Sequence, residues 1–132
     1  MVKLGPDVES GTTDAYSGYL PSGKITGFSM MHESGTGGAP KYGVVSQMPV
    51  FGDVSNPLLD LGRNRSAPDE SRVGYYKSSL DSEVIIEVAA TEHAGLCNYT
   101  FPPGQNNVVV DVSHVLPSFR GLGWGQVCCF II

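Results

Sequence analysis

The sequence predicts an all-β fold, an antiparallel β-sandwich, and three observations carry that prediction. Gly (17) and Pro (9) are frequent in a chain of 132 residues whose hydrophobic fraction is 41%. That composition suits many short strands joined by turns better than long helices. Apolar residues recur with a period of two, most clearly in Val84–Thr91: Val84, Ile86, Val88 and Ala90 share one face, while Ile85, Glu87, Ala89 and Thr91 share the other. The apolar runs between residues 73 and 112 are joined by only a few residues each. Short connections imply antiparallel neighbours, because parallel pairs need long crossovers. A single such layer leaves an apolar face uncovered, so a second sheet must pack against it.

Taken in order, the first forty residues are dense in Gly, Ser, Thr and Pro and read as loops on a β scaffold, with Ile25–Phe28 as a short strand. His32–Pro40 reads as an exposed, irregular, glycine-rich loop. Tyr42–Val50 reads as a strand. Residues 53–71 contain Asn56-Pro57, Gly62 and Pro68 among charged side chains and read as an exposed connection. Gly74–Leu80 is the next strand, Asp81-Ser82 a turn, Val84–Thr91 a strand and His93-Ala94-Gly95 a turn. Leu96–Phe101 follows and is stopped by Pro102-Pro103-Gly104. Asn107–Val112 comes last, with Val108, Val110 and Val112 pointing one way. Residues 73–112 thus read as one β-meander. No stretch has helical periodicity, and there is no internal repeat.

The charge balance is 8 Lys plus Arg against 13 Asp plus Glu, a net charge of −5. The few basic residues are scattered, so the chain lacks the basic stripe of a nucleic-acid binder. No apolar run approaches the roughly 18–20 residues of a membrane span. These features point to no nucleic-acid partner and no membrane partner. Met1–Pro6 has no signal-peptide core. Three cysteines, Cys97, Cys128 and Cys129, have no zinc-site spacing. Asn64-Arg65-Ser66 and Asn98-Tyr99-Thr100 fit the N-glycosylation sequon, making Asn64 and Asn98 candidate glycan acceptors.

Several constellations carry residue types with chemistry. His32-Glu33 lacks the second histidine of a zincin, since position 36 is Thr. It leaves an imidazole and a carboxylate beside a glycine-rich backbone that a sugar could approach closely; an ordinary solvated loop is the plainer alternative. Gly35-Thr36-Gly37-Gly38 is followed by Ala39-Pro40 rather than by Lys and a helix, which excludes a P-loop. Asp111, Ser113 and His114 supply the types of a hydrolase triad but no nucleophile elbow. Tyr75-Tyr76 and Trp124 are aromatic; only one of the two tyrosines can point inward, and Trp124, between glycines, is the better sugar platform.

Three blocks in register then point to one family. They are Gly27-Phe28-Ser29-Met30-Met31-His32-Glu33-Ser34-Gly35-Thr36-Gly37 with Tyr42-Gly43 and Met48-Pro49; Gly74-Tyr75-Tyr76-Lys77 through Leu80; and Ala89-Ala90-Thr91-Glu92-His93-Ala94-Gly95 with Tyr99-Thr100-Phe101-Pro102. Residues 1–126 resemble the N-terminal β-sandwich of glycoside hydrolase family 92, with a fungal flavour. The resemblance implies a secreted parent enzyme, a calcium-dependent, inverting exo-α-mannosidase acting on mannose-containing glycans. Inversion needs a carboxylic acid and a carboxylate base on opposite sides of the scissile bond. In the family both carboxylates and the calcium ligands belong to an (α/α)6 catalytic domain, which is absent from these residues and would be the partner of the sandwich. The resemblance assigns no catalytic residue and no metal site to this chain. It implies sugar-contacting roles for His32, Glu33, Ser34, Gly35, Thr36 and Gly37, on the leaving-sugar side.

Family members carry strands before the stretch that matches Met1, so the sandwich is expected to be incomplete. Residues 127–132 read as an unrelated tail. The leading expectation is a non-catalytic, carbohydrate-binding-type fragment of an α-mannosidase, inactive alone. A self-contained lectin-like sandwich is the alternative, and a hydrolase built on Asp111, Ser113 and His114 comes third.

Overall fold

The computed structural model describes residues 3–9, 19–32, 42–112 and 129–131. The described residues form nine strands and no helix, hence no helix that could cross a membrane. Strands β1 (Gly5–Glu9), β2 (Lys24–His32), β3 (Tyr42–Phe51), β8 (Asn106–Asp111) and β9 (Cys129–Ile131) make one sheet in the order β1-β2-β3-β8-β9. Strands β4 (Glu70–Arg72), β5 (Tyr75–Ser79), β6 (Ile85–Ala90) and β7 (Gly95–Thr100) make the other, in sequence order. Every pairing is antiparallel. The fold is the all-β antiparallel sandwich that the composition and periodicity predict.

The strand pattern follows from side-chain alternation. In β6 and the residue before it, Val84, Ile86 and Val88 are buried. They join Ile25, Phe28, Met48, Val50, Leu80 and Val109 in one apolar cluster. Burying each such side chain contributes about 1.5–3 kcal/mol. Phe28 reaches across to Tyr76 of the second sheet, ring centroids 6.3 Å apart. The Tyr99 hydroxyl donates to Gln47 Oε1 at 3.1 Å. These contacts identify the faces of the two sheets that meet. Of the two adjacent tyrosines, Tyr76 points inward and Tyr75 outward, where its hydroxyl bonds Glu87.

Four expectations need correction. The meander covers β4–β7 only. After Thr100 the chain leaves that sheet, and β8 pairs with β3, Phe51 opposite Asn106 through Ser46 opposite Asp111. Two prolines cannot donate to a ladder, and five residues extended at ~3.3 Å each span the roughly 10 Å between packed sheets. Connection length therefore could not separate a hairpin from a crossover. The crossing is pinned where β3 ends: Gly52 N donates to Gln105 O at 2.9 Å and Asn107 Nδ2 to Gly52 O at 2.6 Å. Gly104 has φ of 153°, and a Cβ there would lie 2.7 Å from the Phe51 ring.

Within β8 the deeply buried residue is Val109, while Val112 is exposed. Val109 lies opposite Met48, on the face of β3 away from Gln47. The β1-β2-β3-β8-β9 sheet thus buries residues on both faces, which defeats an inward-or-outward reading of alternation.

Residues 53–71 are more than an exposed connection. Arg63 forms a bridge with Ile25 and Arg65 with Leu80, and the Arg65 Nε lies 2.7 Å from Asp69 Oδ2 with both side chains nearly buried. The Arg65 guanidinium also donates to the carbonyls of Gly23 and Leu20, each at 2.8 Å.

The described residues among the first forty, 3–9 and 19–32, are mainly strand rather than loop. They supply β1 and all nine residues of β2. Strand β9 closes the far side of the first sheet, Ile131 opposite Val109 and Cys129 opposite Asp111.

Candidate functional site: a buried polar cluster at the end of β2

Strands β1 and β2 bring three polar side chains together out of solvent. Opposite residues of an antiparallel pair share a face. Asp7 lies opposite Gly27, and Gly5 opposite Ser29, so Asp7 and Ser29 share the face away from Phe28. A register irregularity between Met31 and His32 accompanies the return of His32 to the same group. Asp7 and Ser29 are 0% exposed and His32 7%. Ser29 donates from Oγ to Asp7 Oδ2. His32 Nε2 lies 2.7 Å from Asp7 Oδ1, and its Nδ1 lies 2.7 Å from the Lys3 carbonyl oxygen.

A carbonyl oxygen can only accept, so Nδ1 carries a proton. A carboxylate beside Nε2 favours a proton there as well. Burial works against a charged imidazole, but the Asp7 hydrogen bond, the Asp7 charge and the Lys3 carbonyl together raise the His32 pKa above its ordinary value. The Gly5 backbone packs near the ring: a Cβ at this position would lie 3.7 Å from His32 Cε1.

Ser, His and Asp here do not form a nucleophilic triad. In a triad the histidine stands between serine and carboxylate. In this cluster the carboxylate stands between serine and histidine, and the serine is sealed from solvent. Of the triad expected from sequence types, Asp111 lies in β8 opposite Ser46. Ser113 and His114 lie outside the described residues.

His32 was expected to open an exposed loop. It is instead the last residue of β2, and both ring nitrogens are engaged within the chain. Glu33, Ser34, Gly35, Thr36 and Gly37 lie outside the described residues, as does Trp124. The chain enters that stretch from His32 and returns at Tyr42 in β3. Near the returning end, Val45 has φ of 54°, a costly conformation for a β-branched residue and of the kind that clusters at functional sites.

Sequence reasoning missed Asp7 and Ser29. The signal that could have found them is the odd polar residue at strand positions between apolar neighbours, but no pattern in the chain says that β1 pairs with β2 in this register.

Other polar groups are placed differently. On the outer face of the second sheet, Glu87 accepts from the Tyr75 hydroxyl and from Asn98 Nδ2, the latter at 3.0 Å; these bonds hold the Glu87 pKa below its usual value. Arg72 lies over the Tyr75 ring at 4.5 Å. Asn98 is exposed, and so is Asn64, whose Nδ2 lies 3.4 Å from Asp81 Oδ2. A cleft of about 340 Å³ opens between the loop Pro57–Leu61 and the Thr26, Ser46, Met48, Val109 and Asp111 face of the first sheet. Cys97 is a half-buried free thiol whose pKa burial pushes up, which makes it a poor nucleophile. Among the described residues, no group of three His, Cys, Asp or Glu side chains is placed to hold a metal ion.

Two comparisons bear on this chain. The family model for the glycosyl hydrolase family 92 N-terminal domain matches residues 1–128. An uncharacterized secreted glycosidase of the fungus Arthroderma benhamiae is 33% identical over 110 residues, covering 77% of this chain. The chain spans 14% of that relative's length.

Proposed function

This chain belongs to the glycosyl hydrolase family 92 N-terminal domains, and on that premise we propose that it is the non-catalytic, sugar-facing sandwich of a secreted, inverting exo-α-mannosidase. The observation that carries the proposal is the match along residues 1–128 to a domain of a glycosidase family, with a secreted glycosidase as a much longer relative. Calcium, the general acid and the general base are assigned to an (α/α)6 domain outside this chain. The stretch 32–37 is assigned to the leaving-sugar side of the pocket. His32 stands at the end of β2, where the stretch begins, and Glu33, Ser34, Gly35, Thr36 and Gly37 offer carboxylate, hydroxyl and backbone groups to the hydroxyls of a mannose-containing glycan.

Physical chemistry supports a binding rather than a bond-cleaving role. Inverting hydrolysis needs two carboxyl groups roughly 6.5–9.5 Å apart across a sugar-sized gap, one of them protonated. Four of the described carboxylates are engaged within the fold. Asp7 is buried against Ser29 and His32, Asp60 is held by Lys24, Asp69 pairs with Arg65, and Glu87 holds Tyr75 and Asn98.

The test is purified chain with an aryl α-mannoside and with an α-linked mannobiose, each with and without calcium. No turnover is expected, while methyl α-mannoside should shift the backbone amide signals of residues 33–37. Turnover that vanishes in Glu33→Gln would overturn the proposal.

A further inference from the structure

The cleft at the loop Pro57–Leu61 has a sheet for one wall and a shaped loop for the other. Asn56 starts the loop: its Oδ1 accepts from Leu58 N at 3.0 Å and its carbonyl oxygen from Leu59 N at 3.3 Å. The far end is anchored to β2. Asp60 Oδ1 accepts from Gly62 N at 2.9 Å, and Oδ2 pairs with Lys24. Arg63 and Ile25 exchange two backbone bonds, at 2.8 and 2.9 Å. A Cβ on Gly62 would lie 2.8 Å from Lys24 Cδ, so the lysine stem is laid across the end of the loop. A wall held in this way is pre-formed, and a ligand does not have to order it.

The sheet wall alternates polar and apolar rungs, Ser46 opposite Asp111 and Met48 opposite Val109. Thr26 adds a second hydroxyl, which donates to the Asp7 carbonyl oxygen at 3.3 Å and keeps its lone pairs for another donor. The loop wall adds Asp60 and the exposed leucines Leu58 and Leu59. Hydroxyls that donate and accept, acidic groups that accept, and apolar patches between them match a pyranose, with its rim of hydroxyls and its C–H face. The hydrogen bond from Lys24 holds the Asp60 carboxyl below the usual carboxylate range. A charged Asp60 beside Asp111 selects against acidic sugars and phosphates. The cleft volume of about 340 Å³ stands at the lower end of small-molecule sites, which suits one sugar unit.

We propose that this cleft is a non-catalytic subsite for one neutral pyranose unit, with Asp60, Asp111, Ser46 and Thr26 meeting its hydroxyls and Leu58, Met48 and Val109 its C–H face. Asp60 keeps both partners when sugar binds, because a carboxylate has about four lone-pair sites and Lys24 and Gly62 use two. The subsite is independent of the sugar-facing role given to residues 32–37.

The test is an NMR titration of the full chain with methyl α-mannoside, methyl α-glucoside and glucuronate. At least one of the two neutral sugars should shift the amide signals of Ser46, Leu59 and Asp111 saturably, with a dissociation constant on the order of 1 mM. Glucuronate should leave them in place. Asp60→Asn keeps Oδ1 for Gly62 N but removes the charge, and should weaken binding roughly tenfold. Thr26→Val keeps the shape and removes one hydroxyl, and should weaken it roughly three- to tenfold.

A thermal melt separates misfolding from lost binding. The Lys24–Asp60 pair is largely exposed, so Asp60→Asn should melt close to wild type; if it does not fold, Thr26→Val decides. No saturable shift with either neutral sugar would overturn the proposal, as would unchanged affinity in a folded Asp60→Asn or equal binding of glucuronate. Turnover of an aryl α-mannoside that is lost in Asp60→Asn would replace the subsite with a bond-cleaving site. Shifts confined to residues 33–37 would sink the subsite and keep the sugar-facing stretch, and shifts confined to Ser46, Leu59 and Asp111 would do the reverse.

Discussion

A histidine that donates from both ring nitrogens to buried acceptors makes stability depend on pH in a definite direction. Its folded pKa lies above the unfolded value near 6.5. The contribution is therefore complete below that value and is lost as pH rises through the raised folded pKa. Replacing His32 by Gln should cost roughly 3–5 kcal/mol at about pH 6, since it strands a buried carboxylate. The gap between wild type and variant should narrow above about pH 7. Urea melts of both proteins from pH 5.5 to 9 would measure it, and a gap that widens with pH would contradict the assignment. Arg65 presents the same physics on another element. Arg65→Lys keeps the charge but cannot reach Asp69 and two carbonyls at once with a planar fork. A loss of roughly 2–4 kcal/mol in chemical denaturation is expected. The burial of neither residue announced itself in the sequence. A histidine before a glycine-rich run reads as a loop residue, and an arginine inside Asn64-Arg65-Ser66 reads as part of a sequon. Burial of a charge depends on partners brought from distant parts of the chain.

At the level of strands, legibility followed regularity. Strands β3, β5, β6 and β7 were readable to within a residue or two, because each alternates or is apolar throughout and is bounded by Gly, Pro or Asp. The short β4 consists of Glu70, Ser71 and Arg72, all exposed, and carries no apolar signal at all. Strand β1 opens with Gly5-Pro6-Asp7, residues that normally mark turns. Its place is decided by pairing with β2 rather than by propensity. Turn chemistry sets the remaining boundary. Gly23 precedes β2 with φ of 109°, and a Cβ at this position would lie 2.5 Å from the Glu9 backbone oxygen. No side-chain rotation relieves a clash with backbone. Gly23→Ala should therefore destabilise the fold by about 2–4 kcal/mol, combining left-handed strain with displacement of β1. A change below about 0.5 kcal/mol, the usual size for a surface substitution, would show that the turn can re-form.

For the molecule as a whole, the two sheets differ in how their outer faces are used. The first buries the polar side chains Asp7, Ser29 and Ser46 on the face away from Phe28. The second presents Tyr75, Glu87 and Asn98 to solvent, with Leu96 exposed on its edge strand β7. An exposed edge strand with an apolar side chain invites pairing with another copy. Expression through a eukaryotic secretory pathway should place a glycan on Asn98, whose Nδ2 keeps one hydrogen for Glu87 after modification. Glycosidase treatment followed by mass spectrometry would locate it. Removing the acceptor with Asn98→Gln should increase oligomer on size-exclusion chromatography, and an unmodified monomer at all concentrations would contradict this.

The crossing from β7 to β8 also dictates an order of assembly. The β4–β7 sheet closes through short hairpins and can form early. Strand β8 finds its partner β3 only after the 54 residues between Phe51 and Asn106 have been gathered, so the entropy of loop closure falls on that one event. Folding should then be rate-limited by docking β8, with Val109→Ala accelerating unfolding and Val88→Ala slowing folding. Chevron plots of the two variants would distinguish this order from one in which β3 and β8 meet first.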